Sequence, residues 1–149
     1  MMEFTFKAIG VIHTPFLKDE HVPIQSARSD AAGTIELLPE YLAGLDGVEE
    51  FSHLMLLYVL DRASSEVQLL VKPFLDDRQH GVFATRYPVR PNAIGLSVVR
   101  VAGCQENRIS FLGADMLDGT PLLDIKPYIP EFDIQQVSKI GWYAKRAHP

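Results

Sequence analysis

The residues best suited to chemistry in this chain are arginines framed by prolines. In Gly81-Val82-Phe83-Ala84-Thr85-Arg86-Tyr87-Pro88-Val89-Arg90-Pro91-Asn92, two arginines stand four positions apart between apolar strands. The prolines keep the connection extended and deny it helical hydrogen bonds, so Arg86 and Arg90 are presented by a stiffened loop. The segment 78–105 has four arginines and no acid, +4 in a chain whose net charge is -5, so the remainder carries -9. A guanidinium offers a planar fork of donors that suits phosphates and carboxylates. The competing reading is a solvated turn whose arginines pair with the surplus acids.

Two further stretches carry charge where apolar strands lead the eye to expect none. Asp118-Gly119-Thr120-Pro121 reads as a tight turn, with Gly119 free to take positive φ and Pro121 restarting the extended chain. Beyond it, Asp124 and Lys126 fall on one face of a strand entering the core. They are either an internal ion pair or part of a site for a charged substrate. The apolar run 54–60 ends abruptly in Asp61-Arg62, at a strand end where barrels commonly place binding groups.

The generic motifs are missing. Neither Gly-x-Gly-x-x-Gly nor the phosphate loop Gly-x-x-x-x-Gly-Lys-Ser/Thr occurs, and there is no His-Glu-x-x-His or Gly-x-Ser-x-Gly. His13, His21, His53, His80 and His148 lack metal-ligand spacing, so no metal site is expected. Cys104 is the one cysteine, which excludes an internal disulfide framework and favours a reducing, cytoplasmic setting. The start of the chain lacks a basic stretch followed by an apolar one, so no secretory leader is expected, and the longest apolar run, seven residues, is too short for a membrane helix.

The elements that must position these residues are short. With 149 residues, 47% of them hydrophobic, the chain has the size and apolar content of one compact domain, 1–149. Strand-like patterns occupy 4–12, 33–38, 53–60, 66–71, 81–85, 94–101, 108–112 and 122–125. A short helix is expected at 39–45, with Pro39 in its first turn and Gly44 and Gly47 stopping it. No long amphipathic helix stands between strands, as parallel crossovers require. The fold class is therefore mainly all-β, a closed or nearly closed antiparallel barrel with short helical segments, since closure removes exposed edges. The tail 134–149 is the least constrained part, with Trp142 and Tyr143 set to pack back on the core or reach a second subunit.

At these blocks the sequence resembles the TrmO family of S-adenosylmethionine-dependent tRNA methyltransferases, the TsaA-like or YaeB-like β-barrels. The resemblance rests on Ile9-Gly10-Val11-Ile12-His13-Thr14-Pro15-Phe16, Val22-Pro23-Ile24-Gln25, Phe51-Ser52-His53-Leu54, Phe83-Ala84-Thr85-Arg86, Arg90-Pro91-Asn92, Asp118-Gly119-Thr120-Pro121 and Asp124-Ile125-Lys126-Pro127-Tyr128. It covers about residues 6 to 133. Tyr87 and Ala93 depart from the family, which usually has a small residue and a proline there, and the chain stops before the C-terminal domain that some members carry.

The resemblance implies a single barrel, homodimeric with its site near the subunit interface, that binds S-adenosylmethionine and methylates threonylcarbamoyl-adenosine beside the anticodon in the tRNA anticodon loop. By matching positions it implies that Gln25, Ser26, Ala27, Arg28, Asp61, Arg62, Arg86, Leu96, Asp115, Met116, Leu117 and Asp118 hold the cofactor. It places Arg90, Asn92, Asp124 and Lys126 where cofactor and modified base meet. Arg86 or Arg90 would grip the threonyl carboxylate or a phosphate, Asp124 would act as base and Lys126 as stabiliser. Two other readings fit the same residues: a methyltransferase for another RNA base or a small molecule, and a non-catalytic RNA-binding barrel. The acidic total argues against nucleic acid, but the local +4 segment restores an RNA contact.

Overall fold

The computed structural model describes residues 2–18 and 22–146; His21 and His148 lie outside them. The chain divides into two compact units, Met1–Asp61 with Ile94–Tyr128, and Arg62–Ala93 with Ile129–Pro149.

The first unit is a closed antiparallel barrel. Its strands are β1 (Gly10–His13), β2 (Ala32–Leu37), β3 (His53–Val59), β6 (Ile94–Gln105), β7 (Arg108–Leu112) and β8 (Thr120–Pro127). They close in the order β1-β2-β7-β6-β3-β8, with β8 pairing back onto β1. Alternation drives the closure. On β3, Leu54, Leu56 and Tyr58 are buried while Met55, Leu57 and Val59 stay half-exposed. Ile35, Leu37, Ile109 and Phe111 do the same from β2 and β7, giving one contiguous core inside the barrel. The expected helix at 39–45 is a 3-10 helix, Pro39–Leu45, with proline in its first turn.

Three elements differ from expectation. The 4–9 part of the first predicted strand is unpaired by strand ladders, because β2 and β8 first meet β1 at Gly10 and β2 runs directly into the Pro39 turn. β6 extends to Gln105, four residues further than expected, with a register shift between Val101 and Gly103. Most consequential is a shift of register between Leu57 and Tyr58, where β3 meets β8. Tyr58 pairs with Leu122 but Leu57 pairs with Asp124, so Leu123 is the extra residue of a bulge. Without it Asp124 would continue the inward face of Leu122. With it, Asp124 and Lys126 stand opposite the outward residues Leu57 and Met55.

The second unit holds β4 (Leu70–Val71) and β5 (His80–Gly81), paired as a two-stranded sheet, and a single-turn helix α1 (Pro130–Asp133). The predicted strand 66–71 is reduced to its last two residues. The predicted strand at 81–85 is instead β5 ending in a 3-10 turn, Val82–Ala84, whose Val82 is buried and whose amide bonds Leu69. Among the described residues no helix is long and apolar enough to cross a membrane.

Candidate functional site

In the barrel unit two of the expected cofactor residues, Ser26 and Asp115, meet at β6. Gln25 precedes the 3-10 turn Ser26–Arg28, with Ala27 and Arg28 exposed and Ser26 buried. The Ser26 hydroxyl donates to the Val98 carbonyl of β6 at 2.6 Å. Asp115 stands in the 113–119 connection between β7 and β8, and its carboxylate accepts from the Ser97 hydroxyl of β6 at 2.5 Å. The same carboxylate accepts from the backbone N–H groups of Ser26 and of Asp115 itself. Two segments far apart in sequence, at Ser26 and Asp115, are thus locked together by one carboxylate.

A relay of hydroxyls continues behind it. Ser97 gives its proton to Asp115, so the Tyr58 hydroxyl, 2.7 Å from Ser97 Oγ, donates to Ser97. Tyr58 also lies 3.5 Å from the same Asp115 oxygen. Burial, reinforced by the Asp115 charge, pushes the Tyr58 hydroxyl well above the usual phenol range, so it stays a neutral donor. Burial pushes Asp115 from 3.8 up to about 6, against the hydrogen bonds that favour its charged form. Close approach needs glycine at two places. A Cβ on Gly95 would overlap the Tyr58 ring, and Gly113, at φ 101°, would push one to 2.8 Å from Ser26 Oγ.

Asp118 pins the neighbouring chain rather than projecting alone. Its Oδ1 accepts from the Thr14 amide at 3.1 Å and lies 3.4 Å from His13 Nδ1, while its own amide bonds Phe16. Thr14 Oγ1 donates to the Met116 carbonyl at 2.8 Å. The Met116 side chain is part of the barrel core, so only its backbone faces the connection, and Leu117 is half-buried beside it.

The outer face of the barrel carries the other expected residues. Leu96 on β6 is half-exposed and pairs with Leu57, which pairs with Asp124, so the three form a row across β6, β3 and β8. Val98, Met55 and Lys126 form the adjacent row. Lys126 Nζ is 3.0 Å from Asp124 Oδ2, and Asp124 Oδ1 accepts from the Ile125 amide. The pair is half-exposed rather than internal, at 57% and 48%. Because β6 alternates, Ser97 faces Asp115 inside while Leu96 and Val98 on either side face out. Asp61 is exposed two residues beyond β3, and Arg62, also exposed, begins the second unit.

In the second unit, Arg86, Arg90 and Asn92 belong to the loop after the Val82–Ala84 turn. Buried Thr85 anchors it, donating Oγ1–H to the Val82 carbonyl at 2.9 Å and accepting from the Tyr87 amide. Arg90 folds back, its Nη1 donating to the Thr85 carbonyl at 2.9 Å and the Tyr87 carbonyl at 3.0 Å. Arg86 and Asn92 are exposed. The stiffness expected from prolines is thus supplied equally by an arginine. A shallow hollow bounded by Asp46, Glu50, Phe51 and Ile125 contains none of the expected residues. Among the described residues no cluster of His, Cys, Asp or Glu could hold a metal ion.

Sequence reasoning missed Ser97, Tyr58 and Thr14. The readable signal was Ser97, a hydroxyl at an inward position of an otherwise apolar alternation.

Residues 11–134 match the family model described as the tRNA-methyltransferase O N-terminal domain. A probable S-adenosyl-L-methionine-binding protein of Pyrococcus abyssi is 51% identical over 144 residues, covering 96% of this chain and 78% of that protein. A tRNA (adenine(37)-N6)-methyltransferase of Mus musculus is 43% identical over 101 residues, 66% of this chain but 23% of the mouse protein. The crystal structure of TrmO from Pseudomonas aeruginosa superposes with a TM-score of 0.79 at 39% identity, over 95% of this chain. The chain spans 63% of that TrmO chain.

The lifted Asp115 pKa sets a pH dependence. An acid whose folded pKa exceeds its unfolded value stabilises the fold only while protonated, so this contribution is present below about pH 3.8 and lost as pH rises through about 6. Urea unfolding of the wild type, measured against Asp115→Asn, should show a relative loss of about 2 kcal/mol between pH 4 and pH 7. A difference that does not change with pH would contradict the burial of this charge.

Proposed function

The chain belongs to the tRNA-methyltransferase O N-terminal domain family, and from that premise we propose that it is an S-adenosylmethionine-dependent methyltransferase that N-methylates threonylcarbamoyl-adenosine beside the tRNA anticodon. The observation that carries this reading is the Asp115 lock, which brings the Ser26–Arg28 turn and the 113–119 connection onto β6 beside Leu96.

The donor set fits the cofactor's chemistry. S-adenosylmethionine carries no phosphate, so it needs none of the glycine-rich phosphate cradles that are absent here. It needs an apolar shelf for adenine, acceptors for hydroxyl and ammonium groups, and negative charge near a sulfonium. Half-exposed Leu96, the carboxylates of Asp61 and Asp118, and the backbone of Gln25, Ser26, Ala27, Arg28, Asp115, Met116 and Leu117 supply these, with the Asp115 carboxylate holding the two segments in place. When bound, the cofactor supplies an electrophilic methyl group.

The acceptor nitrogen lies in a urea-like group whose lone pair is delocalised, so it needs positioning and help with its proton. Holding reacting atoms at about 3–3.5 Å in line supplies several kcal/mol of barrier lowering. Asp124 takes the nitrogen's proton, and Lys126, 3.0 Å from it, offsets the developing charge. In the second unit Arg86 grips a phosphate of the RNA, Arg90 holds the loop in shape for that contact, and Asn92 completes it. The anticodon loop is single-stranded, so presenting its base costs little unstacking.

We further propose that the chain works as a homodimer. Among the described residues of the second unit only Val71 and Val82 are fully buried hydrophobics, while Leu70, Phe74, Phe83, Phe132 and Ile134 are exposed. Such bare apolar surface suits a second copy. Sedimentation equilibrium should return twice the mass of one chain, and a monomer at micromolar concentration would overturn the dimer.

The reaction is tested by incubating the protein with S-adenosylmethionine and tRNA bearing threonylcarbamoyl-adenosine, then analysing nucleosides by mass spectrometry. One added methyl group on that nucleoside is expected, with a rate about 10²-fold or more lower in Asp124→Asn. A methyl group on another base would redirect the acceptor, and tRNA binding without cofactor binding or transfer would favour the non-catalytic barrel.

A further inference from the structure

Trp142, the only tryptophan in the chain, lies on the C-terminal 3-10 segment Gly141–Lys145 in the second unit. Its indole Nε1–H donates to the Ala84 carbonyl at 2.7 Å, across 58 residues of sequence. Ala84 ends the Val82–Ala84 turn, two positions before Arg86. The indole also stacks on the His80 imidazole, with centroids 5.2 Å apart and planes 21° apart. His80 is fixed in turn, its Nε2 2.6 Å from Asp76 Oδ2. Arg146, just past the segment, places Nη2 3.8 Å from both Asp76 and Asp77. Tyr143 packs its edge against the indole at 6.0 Å.

These contacts form one closed circuit. The tail is tied to Asp76 and His80, ahead of the Val82–Ala84 turn, and to Ala84, the residue from which the arginine loop departs. The loop is also braced from within, where Arg90 Nη1 bridges the Thr85 and Tyr87 carbonyls and the Phe74 ring meets Tyr87 at 5.3 Å. A carbonyl at Ala84 held by a rigid indole fixes the direction in which the chain leaves the turn. The next side chains along that direction are Thr85, which is buried, and Arg86, which is exposed.

We infer that residues 141–146 form a buckle that sets the shape of the arginine loop, and that Trp142 is a positioning residue for the RNA contact made there. Trp142 touches no reacting group. It acts through the Ala84 carbonyl on the presentation of Arg86 and Arg90. This role rests on the reading of the loop as the RNA-contacting element, whereas the buckle itself does not.

Two measurements separate the buckle from the function. The first is the fluorescence of Trp142, which needs no substrate. Arg146→Ala and Asp76→Asn loosen the tail without altering the indole, and each should shift emission to the red and increase quenching by acrylamide. An emission that is already fully solvent-exposed in the wild type, and unmoved by both substitutions, overturns the buckle. The second is methyl-transfer kinetics with Trp142→Phe, which keeps a ring on His80 but loses the N–H donor. The KM for tRNA should rise about fivefold, the effect of one neutral hydrogen bond, with kcat and the affinity for S-adenosylmethionine changed less than twofold. Trp142→Ala, which loses the ring as well, should raise KM further. A Trp142→Phe protein whose KM equals the wild-type value, or whose kcat and cofactor affinity fall together with it, overturns the positioning role. A wild type whose emission responds to both substitutions yet binds no tRNA overturns the functional reading and with it the positioning role, and leaves the buckle standing.

Discussion

The barrel's chemistry depends on one largely buried carboxylate. Asp115 pays a desolvation penalty that lifts its pKa to about 6, and it is held there by the Ser97 hydroxyl and the amides of Ser26 and its own residue. A buried charge with one partner would be a liability; with several hydrogen bonds it becomes an organiser. Here it joins the 3-10 turn after Gln25 to the connection between β7 and β8, two segments that no strand pairing links. The small residues around it follow from the same need. Gly95 makes room for the Tyr58 ring that backs Ser97, and Gly113 turns the chain at positive φ against Ser26. The cluster gives up stability at neutral pH, where the buried carboxylate is charged.

The barrel then converts strand alternation into two distinct surfaces. Ser97 points inward to Asp115 while Leu96 and Val98 on either side point out, so the polar lock lies directly behind the outer rows. The bulge at Leu123 completes the arrangement by turning Asp124 and Lys126 onto those rows. In the second unit the arginine loop is built by a different logic. Its core is slight, and its shape comes from hydrogen bonds to its own carbonyls and from the indole of Trp142. The charge distribution follows this division. Four arginines with no acid between them occupy 78–105, in a chain that is acidic overall. Such a local field suits an anionic polymer met over a short contact.

Much of the fold was readable because period-two alternation is strong wherever one strand face is buried. β3 and β7 match their expected spans closely, and Pro39 marked its turn. The expectation erred where pairing rather than pattern decides. Residues 4–9 alternate like a strand, but ladder pairing with β2 and β8 begins only at Gly10, with Ile9 adding single backbone bonds to Leu38 and Leu122. Residues 81–85 look like a strand until Val82 is drawn into a buried turn. The bulge at Leu123 was not legible, since one extra residue leaves no compositional mark, and for that reason Asp124 and Lys126 looked misplaced in a core strand. Of the candidate site, Arg86, Arg90 and the 115–118 connection stood out through charge and turn chemistry. Ser97 and Tyr58 did not, because a hydroxyl within an apolar run gains meaning only when the carboxylate it serves is brought beside it. Trp142 was left between the core and a second subunit, and within the chain its indole bonds the Ala84 carbonyl.

Isothermal titration of the folded protein with S-adenosylmethionine tests the central claim most directly, because it asks whether the surface organised by Asp115 is the cofactor site. Saturable binding is predicted for the wild type. It should weaken about tenfold or more in Asp115→Asn and in Ser97→Ala, the effect of losing a hydrogen bond to a charged group. Folded wild-type protein that takes up no S-adenosylmethionine, or binding that both substitutions leave unchanged, would contradict the account.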